Sequence, residues 1–85
     1  MKIVEYVITD ELGLHARPAG LLVRKAKGLS SDIVVKIEGK QANATKLFEI
    51  MGIAAKKGQK MLIEVSGSDE DAEAEAFLEF LEENV

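Results

Sequence analysis

The sequence predicts an α+β fold, a four-stranded antiparallel sheet with three helices packed on one face. Two observations carry this. β-prone runs at 2–8, 33–37, 40–42 and 60–65 are separated by stretches with helical spacing at 16–27, 44–55 and from 68 onward, in the order βαββαβα. The 85 residues suffice for one domain, 1–85, with a modest core and no linker, repeat or low-complexity segment.

Lys2 to Ile8 reads as a strand, with Ile3, Val4, Tyr6, Val7 and Ile8 β-prone. Thr9 to Gly13 reads as a loop with Asp10 and Gly13 as turn residues. A helix is expected over Ala16–Lys27, its stripe made by Leu21, Leu22, Lys25 and Ala26, with Gly28 just past its end. Ile33–Ile37 turns at Glu38-Gly39 into a short strand, Lys40–Ala42, forming a hairpin. Ala44–Ala55 is expected to be helical, with Leu47, Ile50, Met51 and Ala54 on one face, Phe48 beside it, Thr45 as cap and Lys56-Lys57-Gly58 closing it. Lys60–Val65 alternates as a strand. Ser68 is expected to cap the last helix, with Ala74, Phe77, Leu78 and Leu81 as its stripe and Phe77 and Phe80 as core anchors.

Composition excludes several classes. The chain has no cysteine and one histidine, so disulfides, thiolate chemistry and a zinc site are not expected. No apolar run reaches membrane-spanning length, and the N-terminus lacks the pattern of a signal peptide, so a soluble, cytoplasmic protein without membrane insertion is expected. GxGxxG and GxxxxGK[ST] are absent. The same element order suits ferredoxin-like domains and the RNA recognition module. RNA binding there needs aromatic residues on the sheet, which here holds only Tyr6, and the net charge is −4, so no nucleic-acid partner is expected. Charge is uneven, +2 over residues 1–30, +3 over 31–60 and −9 over 61–85. The acidic tail reads as the solvated face of a helix. The basic excess accompanies His15 and favours an anionic substrate or an acidic partner.

The stretch Gly13-Leu14-His15-Ala16-Arg17-Pro18 contains both the only histidine and the only proline. Pro18 is tolerated only in the first helical turn, where its missing N–H has no intrahelical partner. That places His15 near the N-cap and leaves the backbone N–H groups of Ala16 and Arg17 free to bind an anion. A lone histidine at a helix start is ordinarily just a polar loop residue. Here a nucleophilic imidazole, an anion-binding helix end and a guanidinium meet at one spot, which suits receiving a phosphoryl group.

Gly-Leu-His-Ala-Arg-Pro-Ala at 13–19 resembles the phosphorylation motif of the HPr family, the histidine-containing phosphocarriers of the phosphoenolpyruvate:sugar phosphotransferase system. The resemblance extends over Ala26-Lys27-Gly28, Gly39-Lys40, Asn43-Ala44 before Leu47-Phe48, and Gly58. It implies an open-faced β-sandwich with strand order 1-4-2-3. It implies that His15 accepts a phosphoryl group on Nδ1 from phospho-enzyme I and passes it to enzyme IIA domains, with Arg17 aiding transfer. The implied docking surface comprises Gly20, Arg24, Lys27, Leu47, Phe48 and Met51. The protein is then a monomeric carrier rather than an enzyme, without cofactor or metal. A paralogous carrier in a regulatory, nitrogen-type branch and a plain interaction module remain as alternatives.

The sequence departs from the family at Gly20, Glu49 and Lys46. Lys46 stands where many members carry a regulatory serine, which puts serine-kinase control in doubt. Its fixed charge is expected near His15 and is expected to assist docking to acidic enzyme I.

Overall fold

All neighbouring strands of the single sheet run antiparallel, in the order β1-β4-β2-β3. The computed structural model describes residues 1–85. Its elements are β1 (Lys2–Val7), α1 (Ala16–Lys27), β2 (Asp32–Ile37), β3 (Lys40–Asn43), α2 (Leu47–Ile53), β4 (Lys60–Ser66) and α3 (Glu70–Asn84). This is the expected open-faced sandwich. In the two central strands the period-two pattern is complete: Ile33, Val35 and Ile37 of β2 and Met61, Ile63 and Val65 of β4 are buried. They meet across the ladder as Ile33 opposite Val65 and Val35 opposite Ile63. All three helices contribute to the same core, through Leu22, Ile50 and Phe77 among others. The opposite sheet face stays open and carries charged pairs such as Lys36–Glu64 at 2.9 Å. The β2–β3 hairpin turns at Glu38 (φ 47°) and Gly39 (φ 81°), the left-handed pair that matches the twist of two antiparallel strands.

The helices depart from expectation in instructive ways. α1 has the expected bounds, but its buried residues are Pro18, Ala19, Leu22, Val23 and Ala26. Leu21 and Lys25 are only half-buried, because the helix packs chiefly against α2 and α3 and buries the neighbouring Ala19, Leu22, Val23 and Ala26 instead. Gly28 ends the helix in right-handed conformation (φ −81°), its N–H reaching the Arg24 and Lys25 carbonyls.

α2 is shorter than Ala44–Ala55. The Ala44 N–H donates to the Ile33 carbonyl at 2.9 Å and so stays with the sheet. Asn43 Oδ1 then accepts from the Thr45 N–H (2.9 Å) and hydroxyl (2.7 Å), an Asx turn that holds Thr45 outside the helix. Lys46, not Thr45, is the N-cap residue. Glu49, in the first turn, reaches back to accept from the Asn43 N–H at 2.9 Å. Ala54 stops the helix in left-handed conformation (φ 55°, ψ 47°), before Lys56-Lys57-Gly58 is reached. The buried face is Ile50 and Ile53, while Leu47, Met51 and Ala54 are exposed.

α3 begins after Asp69, and Ser68 makes no cap. Ala74, Phe77 and Leu81 are buried, with Leu78 and Phe80 only half-buried. The acidic tail is not wholly a solvated face. Glu73 accepts from the Ser30 N–H (3.0 Å), the Ser31 N–H (2.8 Å) and both serine hydroxyls, clamping the α1–β2 loop to α3. These donors, the Ser31 hydroxyl first, hold its carboxyl well below the usual range, at about 2.

Two expected outcomes follow from these contacts. Glu73 titrates lower in the folded chain than in the unfolded one. Its ionised form therefore stabilises the fold above the usual carboxylate range, and this is lost as pH falls towards about 2. Glu73→Gln lowers the thermal midpoint at pH 7, and melts of both proteins across this range show the gap to wild type closing with acidification. A separate constraint lies at Gly13, which has φ +68° and whose added β-carbon would fall against the Ala55 carbonyl and within 2.8 Å of the Lys56 Cα. Gly13→Ala costs stability on the order of 1–3 kcal/mol, measured by urea unfolding.

Candidate functional site

His15 is placed by the residues before it. The Gly13 N–H donates to the Asp10 carbonyl at 2.9 Å, and the Leu12 N–H donates to Asp10 Oδ1 at 2.9 Å, closing a tight turn. Left-handed Gly13 then brings Leu14 into the core, where its N–H donates to the Ala55 carbonyl at 3.0 Å. Backbone alternation throws the next side chain outward. His15 is extended (φ −80°, ψ −176°) and is the N-cap of α1, with its carbonyl accepting from the Ala19 N–H at 2.9 Å.

The imidazole makes no hydrogen bond to the helix end, and its side chain is about one-third exposed. The N–H groups of Ala16 and Arg17 have no acceptor within the chain, and Pro18 has no N–H to offer. Arg17 is exposed and forms no ion pair within 4 Å. The positive end of the α1 dipole, two free amides and one free guanidinium thus surround an accessible nitrogen nucleophile. No acidic residue occupies the first turn of α1, and Arg24, Lys25 and Lys27 complement its last.

The structure adds neighbours that sequence reasoning missed. Asp10 Oδ2 lies 3.7 Å from His15 Nε2. Glu83 and Asn84, at the end of α3, line the same shallow depression as His15 and Arg17. The Thr9 and Asp10 amides donate to the Val85 carbonyl at 3.1 and 2.7 Å, which brings the end of α3 to the site. Asp10 carries a turn signal in sequence, but nothing there points it at the imidazole. Glu83 is one acid among many in the tail.

The expected docking residues do not share one depression, since Arg24 lines another with Leu21, Lys25, Gly28, Leu29 and Phe80. Phe48 is 88% exposed, and Leu47 and Met51 are about two-fifths exposed. Lys27, Lys46, Leu47 and Phe48 line one depression, between the end of α1 and the start of α2. Arg24 is exposed, and open space lies beyond the α-carbon of Gly20, so no close backbone approach within the chain explains that glycine. Lys46 is not beside His15. It neighbours Lys27 at the far end of α1, and twelve residues at about 1.5 Å each separate the two ends by roughly 18 Å. No helix is long and apolar enough to cross a membrane.

Comparison with known proteins agrees with this geometry. The family described as PTS HPr component phosphorylation site matches residues 3–83. The phosphocarrier protein HPr of Lysinibacillus sphaericus is 42% identical over 83 residues, covering 98% of this chain and 94% of that protein. HPr-C-His from Thermoanaerobacter tengcongensis is similar in structure, with a TM-score of 0.91, 34% identity and coverage of 99% of this chain and 94% of that one. An HPr dimer from the same organism has a TM-score of 0.75 at 35% identity, covering 98% and 95% of the two chains. Fold, motif and relatives agree, and the chain belongs to the HPr family of phosphotransferase-system phosphocarriers.

Proposed function

We propose that this protein shuttles a phosphoryl group from phospho-enzyme I, charged by phosphoenolpyruvate, to enzyme IIA domains for sugar uptake. The observation that carries this is the accessible imidazole beside two unpaired amides and an unpaired guanidinium. The Nδ1 lone pair attacks phosphorus in line while the bond to the donor's histidine breaks. Phosphoryl transfer depends mainly on positioning and charge stabilisation, so the partners supply what this small site lacks. The Ala16 and Arg17 amides and the Arg17 guanidinium hold the phosphoryl oxygens. The protein is a carrier, not an enzyme, and works in the cytoplasm as a monomer without metal or cofactor.

Docking uses Leu47, Phe48 and Met51 as an apolar centre, flanked by Gly20, Arg24, Lys27 and Lys46. A small, partly apolar patch with a basic rim suits brief encounters with acidic partners. The position of Lys46 beside Lys27 supports a role in partner attraction rather than in the chemistry at His15.

Incubation with labelled phosphoenolpyruvate and enzyme I labels the wild type once, as an acid-labile phosphohistidine, and leaves His15→Ala unlabelled. Arg17→Ala is labelled about tenfold or more slowly, with its thermal midpoint little changed, as expected for lost transition-state stabilisation of roughly 1.4 kcal/mol or more. Lys46→Glu weakens enzyme I binding several-fold at low salt, and titration calorimetry shows the difference shrinking as ionic strength rises.

A further inference from the structure

Asp10 is held at both its backbone and one carboxylate oxygen. Its N–H donates to the Val85 carbonyl at 2.7 Å, its carbonyl accepts from the Gly13 N–H at 2.9 Å, and Oδ1 accepts from the Leu12 N–H at 2.9 Å. Oδ2 has no hydrogen-bond donor and lies 3.7 Å from His15 Nε2. That separation is longer than a hydrogen bond, and catalytic contacts commonly tighten on engagement. The other charged side chains lining the same depression are Arg17 and Glu83. Neither is within ion-pair distance of the imidazole or of Asp10.

We propose that Asp10 is a positioning residue for His15, holding the ring proton on Nε2 so that the Nδ1 lone pair is free beside the unpaired amides of α1. The proposal rests on the reading of His15 as the phosphoryl acceptor. A neutral imidazole carries one proton, and the nitrogen bearing it cannot attack phosphorus. A carboxylate only accepts hydrogen bonds, so facing Nε2 it selects the Nε2–H tautomer. It also stabilises the positive charge that the ring gains when Nδ1 bonds to phosphorus.

Asparagine at this position separates tautomer control from turn structure. In Asp10→Asn the single amide oxygen stays with the Leu12 N–H, because the opposite rotamer would set an NH₂ against that N–H. The NH₂ then faces His15 Nε2 and donates to it, which moves the ring proton to Nδ1. An amide in place of a histidine-orienting carboxylate is known to impose the wrong tautomer in this way. Asp10→Ala removes both the turn contact and the tautomer control.

The test uses phosphoramidate, which needs no enzyme I. Its P–N bond breaks, ammonia leaves, Nδ1 bonds to phosphorus, and the Nε2 proton stays on the ring opposite Asp10. Two-bond 1H–15N correlation of the neutral ring is expected to show Nε2–H in the wild type, Nδ1–H in Asp10→Asn and a mixture in Asp10→Ala. Phosphorylation of Asp10→Asn falls about tenfold or more with an unchanged thermal midpoint, and Asp10→Ala falls less despite its lower stability. A wild-type tautomer and rate in Asp10→Asn would overturn the proposal. So would rate losses that follow stability in both variants with no tautomer change. If phospho-enzyme I leaves wild-type His15 unlabelled while the tautomer order holds, the carrier reading fails and the assignment of Asp10 stands.

Discussion

The contact between Gly13-Leu14 and Ala55 governs the site. Leu14 fills the core and its amide is bonded to the Ala55 carbonyl, so the chain arrives at α1 with a fixed direction. Because successive side chains alternate, an inward Leu14 makes an outward His15. Proline follows where helix geometry demands no N–H, and the first-turn amides are left for a ligand. Left-handed Gly13 is what allows the backbone to come that close to Ala55. Nucleophile and anion site are therefore both set by a loop-to-loop contact, and not by the sheet.

The proposed chemistry and the proposed docking use different parts of the molecule. His15 and Arg17 are gathered at the N-terminus of α1, where the last turn of α3 and the Asp10 turn also converge. The residues proposed for docking lie further along α1 and on α2. Only Ile50 and Ile53 tie α2 into the core, which frees Leu47, Phe48 and Met51 to face outward. An 88% exposed phenylalanine in a small domain has no role in its own packing, so its apolar area is available to a partner.

The strands, their order along the chain and the bounds of α1 were legible because alternation and helical spacing are local patterns. His15 and Arg17 stood out because Pro18 locates the helix start. The limits of α2 were hidden: Ala44 and Thr45 have helical company in sequence, yet Ile33 and Asn43 capture their amides. Likewise Glu73 looks like its acidic neighbours until Ser30 and Ser31 are brought to it from the α1–β2 loop. Asp10 was visible only as a turn former, since its distance to the imidazole depends on the fold of the whole loop. What local pattern cannot reveal here is which distant donor or acceptor a polar side chain meets.

The brevity of α2 has a consequence for recognition. Seven residues make about two helical turns, too few to hold a helix without tertiary support, and that support comes from one narrow side. The apolar residues proposed for docking therefore sit on a short helix that depends on tertiary support, while His15 sits at the head of a longer helix with five buried residues. Unbranched Met51 adds rotameric freedom to the same patch. On the docking proposed above, partners of unlike contour can each mould this segment without disturbing the geometry at His15.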